Sequence, residues 1–214
     1  LPILKGTIYM PSPTPNQKIN QVKMFGEDFI EVVIEGDTFD DAFNAAKIEC
    51  DSTNKTFIHP FNDKKVIEGQ ATVGLEILNQ TDKEIDYVFV AIGGGGLIAG
   101  IGAYIKAVRP EIQIIGVQTV DSDAMRRSLV AGKRIELKEV GLFSDGTAVK
   151  LVGKETFRLC KAVVDEIITV DTDAICAAIN DVFADTRSIL EPAGALAIAG
   201  MKAYVDREQC TQKT

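Results

Sequence analysis

Residues 88–102 read VFVAIGGGGLIAGIG, and four consecutive glycines, Gly93, Gly94, Gly95 and Gly96, stand between an apolar strand pattern and an apolar helix pattern. With no side chains over four residues, successive backbone N–H groups can turn inward around a small anion. A helix opening at about Leu97 adds its unsatisfied amides and the positive end of its dipole. A loop of this kind at the carboxyl end of a buried strand is predicted to hold a phosphate.

The glycine run by itself leaves the kind of phosphate open. A nucleotide-hydrolysing loop needs Lys and Ser or Thr just after its last glycine. Here Leu97 and Ile98 follow, and the next cation is Lys106. Gly94, Gly96 and Ala99 match the G-x-G-x-x-A spacing of a dinucleotide site, which calls for an acid at the end of the next strand to grip a ribose hydroxyl. That strand, expected over 113–117, runs into Gln118 instead. A flexible linker would be polar and Ser- or Pro-rich, whereas this loop is enclosed by Val, Ile and Leu. Residues 87–105 carry no charge and have the length of a membrane-spanning helix, but glycines split the run and β-branched and aromatic residues open it. A buried strand, a loop and a buried helix describe it better.

Outward from the loop, strands and helices alternate. Strands are expected over 6–10, 29–34, 56–59, 87–92, 113–117 and 166–170. Helices are expected over 13–25, from the Thr38 cap through DDAFNAAKIEC, and over 66–79, 97–108, 123–131, 154–164, 172–185 and 194–205. Short, nearly all-apolar strands separated by helices imply an α/β fold with a parallel sheet covered on both faces. The turn-rich stretch PFNDKK is the expected boundary between two lobes, 1–62 and 63–214.

Composition narrows the partners. The 214 residues carry a net charge of −8, which argues against nucleic acid or an anionic membrane and leaves a phosphate to local amides. No secretory signal is visible at the start of the sequence, and a cytoplasmic location is expected. Cys50, Cys160, Cys176 and Cys210 are widely spaced and form no C-x-x-C pair, so reduced structural thiols are expected rather than a metal or redox centre. The one histidine, His59 in TFIHPF, reads as a structural or hydrogen-bonding residue rather than a general base.

Beyond these patterns, FIHPFNDKKVIEGQATVGLEIL, VFVAIGGGGLIAG, GLFSDGTAVKLVGKETFRLCK and ILEPAGALAIAGMKAY together resemble threonine ammonia-lyase (threonine dehydratase), most of all its biosynthetic form. That family lies within the pyridoxal-phosphate enzymes of the tryptophan-synthase-β fold type. The resemblance spans about 6–205 and implies two lobes of parallel or mixed sheet flanked by helices (PLP fold type II), here incomplete. It implies pyridoxal 5′-phosphate as cofactor, a small amino-acid substrate and a homo-oligomer active in isoleucine biosynthesis. The implied reaction removes the α-proton of L-threonine, or of L-serine, and expels the β-hydroxyl. Threonine then yields 2-oxobutanoate and ammonia. Carried over by motif, Gly93, Gly94, Gly95, Gly96 and Leu97 form the phosphate cradle, in which the bound phosphate helps to protonate the leaving hydroxyl. Gly146 lies near the cofactor ring, and Glu191 is a carboxylate near the same ring or an acid at a helix start. Asp145 reads as a solvated turn residue.

The departures are as specific. The family's cofactor-bonding lysine lies in a K-x-R-G-A motif, its substrate loop is S-x-G-N-H, and an S-G-A-N serine bonds the pyridine nitrogen; none of these occurs here. The expectation is an internal fragment of a catalytic domain, without a regulatory domain and inactive alone. Lys150 is the one lysine beside a motif and a poor replacement; Lys106, Lys133 and Lys138 read as solvated charges. Gln118 and Ala124 stand where serine racemases and some catabolic relatives place carboxylates around a cation, so no metal is expected. Two further readings stay open: a non-catalytic phosphate-binding or oligomerising module, and a dinucleotide-binding domain.

Overall fold

The computed structural model describes residues 4–209; Cys210 lies outside them. The chain separates into two compact units, 1–58 and 59–214. Residues 59–62, on the small-lobe side of the expected boundary, pack with the second unit, because Phe61 and Asn62 are contact partners of its glycines Gly94 and Gly153.

The first unit contains β1 (Gly6–Met10), α1 (Asn16–Gly26), β2 (Ile30–Ile34) and α2 (Phe39–Thr53). β1 and β2 pair in parallel, Gly6 opposite Ile30 through Met10 opposite Ile34. Thr38 caps α2 as its sequence requires. Its side chain accepts from the Asp41 amide, and the Asp41 carboxylate accepts from the Thr38 amide, a reciprocal capping box. The expected strand over 56–59 does not form. Its apolar residues have no neighbouring strand to pair with. Phe57 instead packs edge-on against Phe43 of α2 at 5.3 Å, Ile58 is exposed, and His59 folds the next residues into a turn.

The second unit holds α3 (Lys64–Asn79), β3 (Tyr87–Ala91), α4 (Gly96–Val108), β4 (Gln113–Thr119), α5 (Ala124–Ala131), α6 (Lys154–Val163), β5 (Glu166–Val170), α7 (Thr172–Thr186) and α8 (Pro192–Glu208). The last helix starts two residues before the expected Gly194, because Pro192 suits the first helical position. The sheet runs β3-β4-β5, and every strand pair among the described residues is parallel.

Strand periodicity divides the core into two layers. Val88 and Val90 of β3 enter a cluster with Ile98, Ile101 and Ile105 of α4, Met125 of α5 and Cys160 of α6. Phe89 and Ala91, pointing the other way, join Val117, Val170, Ile175 of α7 and Leu196 and Ala199 of α8. Both faces of the sheet are therefore covered, as its nearly all-apolar strands demand. Each fully buried Ile or Leu in these layers contributes about 1.5–3 kcal/mol relative to exposure. α8 lies close on the sheet: a Cβ at Gly200 would stand 2.4 Å from Val117 Cγ2.

Lys106 departs from its expected solvated role. Its ammonium sits 2.8 Å from Asp165 Oδ2, with its side chain only 19% exposed, and the same carboxylate oxygen accepts the Ile114 amide at 2.7 Å. The pair ties the end of α4 to the starts of β4 and β5. Lys133 and Lys138 are exposed.

Candidate functional site

The glycine loop leaves the carboxyl end of β3 and turns directly into α4. Gly95 occupies the N-cap position with φ +94°, a left-handed conformation that glycine adopts without the Cβ clash of other residues. Two of the loop's carbonyls are bonded within the second unit. Gly94 O accepts the Thr156 hydroxyl at 2.7 Å and faces the Gly153 amide at 3.5 Å. Gly95 O accepts the Ala99 amide at 3.0 Å and faces the Cys160 thiol at 4.0 Å. The first amides of α4 lie outside the intrahelical ladder, as in any helix. Their N–H groups and the helix dipole make this end attractive to an anion. Gly94, Gly95 and Gly96 are buried, whereas Leu97 is exposed.

Glycine is also required by what packs against the loop. A Cβ at Gly94 would fall 2.4 Å from the Phe61 ring, and one at Gly96 would stand 3.0 Å from Phe61 Cβ. At Gly95 it would meet Met125 Cε at 2.6 Å, and at Gly93 the Thr147 Cα at 3.0 Å. The protein therefore fills the side-chain face of the loop.

Thr147 links the loop to the 144–149 segment. Residues 145–147 form one turn of 3-10 helix. Ser144 and Thr147 exchange a hydroxyl hydrogen bond at 2.8 Å, and the buried Ser122 hydroxyl donates to Thr147 O at 3.2 Å. Next along, Gly146 is exposed, and a Cβ there would lie 3.0 Å from Ala193 Cβ and 3.7 Å from Glu191 Oε1. Glu191 is the N-cap residue of α8, without a side-chain capping bond. Gly93, Gly146 and Glu191 are thus brought into succession: Gly93 against Thr147, Gly146 against Ala193 and Glu191. Asp145 is half-buried in the same turn rather than fully solvated, and Lys150 is half-buried too.

Several supporting residues escape a reading of the sequence. Phe61 lies against the loop; Asn62 Oδ1 accepts the Glu155 amide at 2.8 Å; Thr156 holds Gly94. His59 sits at the root of this support. Its Nδ1 accepts the amides of Phe61 at 3.2 Å and Asn62 at 3.0 Å, so it acts as a hydrogen-bonding residue. Burial lowers its pKa, with Asp63 opposing the shift, which favours the neutral form that can accept. The Cys160 thiol is pushed up to about 12 by burial. Cys50, half-buried, donates to Lys55 O at 2.8 Å, and Cys176 is exposed. Among the described residues, no cluster of three His, Cys, Asp or Glu stands ready for a metal, and no helix is long and apolar enough to cross a membrane.

For the phosphate end of a cofactor these residues fit, with the carbonyls of Gly94 and Gly95 bonded within the unit and a helix starting at Gly96. Residues 3–214 match the profile of the family described as pyridoxal-phosphate dependent enzymes. The chain is similar to the L-threonine dehydratase biosynthetic IlvA of Burkholderia multivorans, 56% identical over 212 residues, covering 99% of this chain and 42% of that protein. It is similar also to the mitochondrial threonine dehydratase of Schizosaccharomyces pombe, 52% identical over 211 residues, covering 96% of this chain and 34% of that protein. The solved structure of the processed form of threonine deaminase isoform 2 from Solanum lycopersicum matches with a TM-score of 0.90 and 42% identity, covering 98% of this chain and 60% of that one. The chain therefore spans 34–42% of the length of these two curated relatives. A profile match over nearly every residue, joined to a glycine loop that presents a helix start at a strand end, establishes that this chain belongs to the pyridoxal-phosphate dependent enzyme family.

Proposed function

We propose that this chain is the phosphate-holding portion of an enzyme that deaminates L-threonine to 2-oxobutanoate and ammonia, with L-serine as the alternative substrate. The observation that carries the reading is the glycine loop: the carbonyls of Gly94 and Gly95 are engaged by Thr156, Ala99 and Cys160, and the first amides of α4 lie outside the intrahelical ladder. In this reading Gly93, Gly94, Gly95, Gly96 and Leu97 hold the phosphate of pyridoxal 5′-phosphate through amides and dipole, consistent with a chain of net charge −8. Gly146, lacking a side chain, leaves room for the ring, and Glu191 sets a carboxylate beside it. When bound, the cofactor supplies an electron sink for the pair left on the α-carbon after its proton is removed. The chain's own contribution is to anchor and orient. The amides of Gly93 to Gly96 would hold the phosphate, and a phosphate so held would supply an acid for the departing β-hydroxyl.

The K-x-R-G-A motif is absent from these residues, so the isolated chain is expected to bind and not to turn over. Cytoplasmic placement and a homo-oligomeric parent belong to the same proposal; free thiols at Cys50, Cys160 and Cys176 support a reducing compartment.

The test is a ³¹P NMR titration of the chain with pyridoxal 5′-phosphate, followed by borohydride reduction and peptide mapping. A saturable phosphate shift with scattered lysine labelling supports the reading. Saturable labelling of one lysine, such as Lys150, would refute inactivity. A response to a nicotinamide dinucleotide alone would favour a dinucleotide-binding domain. If a phosphate shift appears while joining the chain to a K-x-R-G-A segment yields no 2-oxobutanoate from threonine, a non-catalytic phosphate module is the better description.

A further inference from the structure

Gln118 breaks the pattern of its strand. Even-numbered positions of β4 turn toward the first core layer with Ile112 and Ile114, yet the next such side chain after Gly116 is a polar amide, 1% exposed. A buried polar side chain is normally hydrogen-bonded, and an unpaired one costs about 1–3 kcal/mol. Here both ends are used. Nε2 donates to Ser122 O at 3.1 Å and to Ile92 O at 3.4 Å, and Oε1 accepts the Arg126 amide at 2.9 Å. Two carbonyls on one side and an N–H on the other fix which end is nitrogen.

The three partners belong to three segments that wall the glycine loop. Ile92 is the residue immediately before Gly93. Ser122 lies in the turn after β4, and its hydroxyl holds Thr147, the residue packed against Gly93. Arg126 follows Met125, whose Cε packs at Gly95. We propose that Gln118 is a positioning residue for the loop: one side-chain amide pins the loop's entry, the 120–123 turn and the start of α5 to a common point. Residue type follows from reach and polarity. Asparagine is one methylene too short to span the three partners, and methionine has the length without donor or acceptor.

The experiment compares the wild-type chain with Gln118→Met and Gln118→Asn by backbone ¹⁵N relaxation without ligand, then by ³¹P titration with pyridoxal 5′-phosphate and with inorganic phosphate. Wild-type order parameters over 93–96 are expected near those of the strands, about 0.85. Both variants should fall toward about 0.6 there while β5, α7 and α8 keep their values. Affinity for pyridoxal 5′-phosphate should fall about tenfold, the equivalent of about 1.4 kcal/mol. Unchanged order over 93–96, or a uniform loss across the unit, would overturn the inference by making Gln118 an ordinary packing residue. If Gln118→Met does not fold, Gln118→Asn decides, since it keeps the polarity and loses the reach. The ligand titration rests on the phosphate reading, whereas the relaxation measurement does not. A wild-type chain that binds neither probe would sink the phosphate reading and leave the relaxation result to judge Gln118.

Discussion

Thr156→Val isolates the hydrogen bond that holds the glycine loop inward. Thr156 is fully buried in the first turn of α6, and its hydroxyl donates to Gly94 O at 2.7 Å. Valine keeps the branched shape and removes the donor, leaving Gly94 O with the Gly153 amide at 3.5 Å. An under-satisfied buried acceptor costs about 1–3 kcal/mol, reduced by the apolar gain of methyl over hydroxyl; a net loss of about 1–2 kcal/mol is expected. With a urea slope of about 2 kcal/mol/M for a unit of this size, the midpoint should fall by about 0.5–1 M at constant slope. Thr156→Ser is the control: it keeps the hydroxyl and loses a methyl, at about 1 kcal/mol. Stability alone separates the two weakly, so the deciding assay is ³¹P titration. Valine should weaken pyridoxal 5′-phosphate binding and serine should not. Equal affinities in the two variants, or a midpoint unchanged in Thr156→Val, would refute the claim that this bond shapes the loop.

Other expectations follow from single positions. Gly95→Ala should cost about 1–2 kcal/mol because of its φ of +94°, whereas Gly69→Ala, in α3 with nothing within 4 Å of the added Cβ, should raise the unfolding free energy by about 0.5–1 kcal/mol; denaturant midpoints at constant slope read both. His59 has a folded-state pKa below its ordinary 6.5, so the unfolded chain binds the proton more readily. Its stabilising contribution is present above pH 6.5 and is lost as pH falls below that value toward the folded pKa. Denaturation midpoints of His59→Ala should therefore converge on wild type on acidification, and parallel pH profiles would contradict this. Cys160, its thiol pushed up to about 12 by burial, should react with a thiol reagent at pH 8 only after unfolding, while exposed Cys176 reacts in the folded chain; mass mapping distinguishes them.

Much of the fold is legible because its signals are local. The apolar run, the glycines and the second apolar run specify β3, the loop and α4 without reference to distant residues, and Thr38 with Asp41 fixes the start of α2 within four positions. The failed strand at 56–59 had suitable residues and no neighbour, and strand pairing is a property of two segments. The candidate site divides the same way. The proposed phosphate cradle was read from its own residues, whereas Gly146 and Glu191 entered only through resemblance. Phe61, Thr156 and Lys106 carry no local mark, because their partners lie across the fold at Gly94 and Asp165. Gln118 was visible as a missing acid, and its role emerges only when Ile92, Ser122 and Arg126 converge on it.

That convergence has a consequence for the order in which the chain takes shape. The loop at 93–96 is flanked by its own strand and helix within a few residues, but its restraints come from Phe61, Gln118, Met125, Thr147 and Thr156. Contacts between residues 94 and 156 close a long loop, and the entropy of such closures slows folding. During synthesis from the N-terminus, β3 and α4 can pair and pack long before α6 has left the ribosome. The packing of the loop is therefore a late event: until Thr156 has emerged, the chain possesses the glycines and lacks the hydroxyl that holds Gly94.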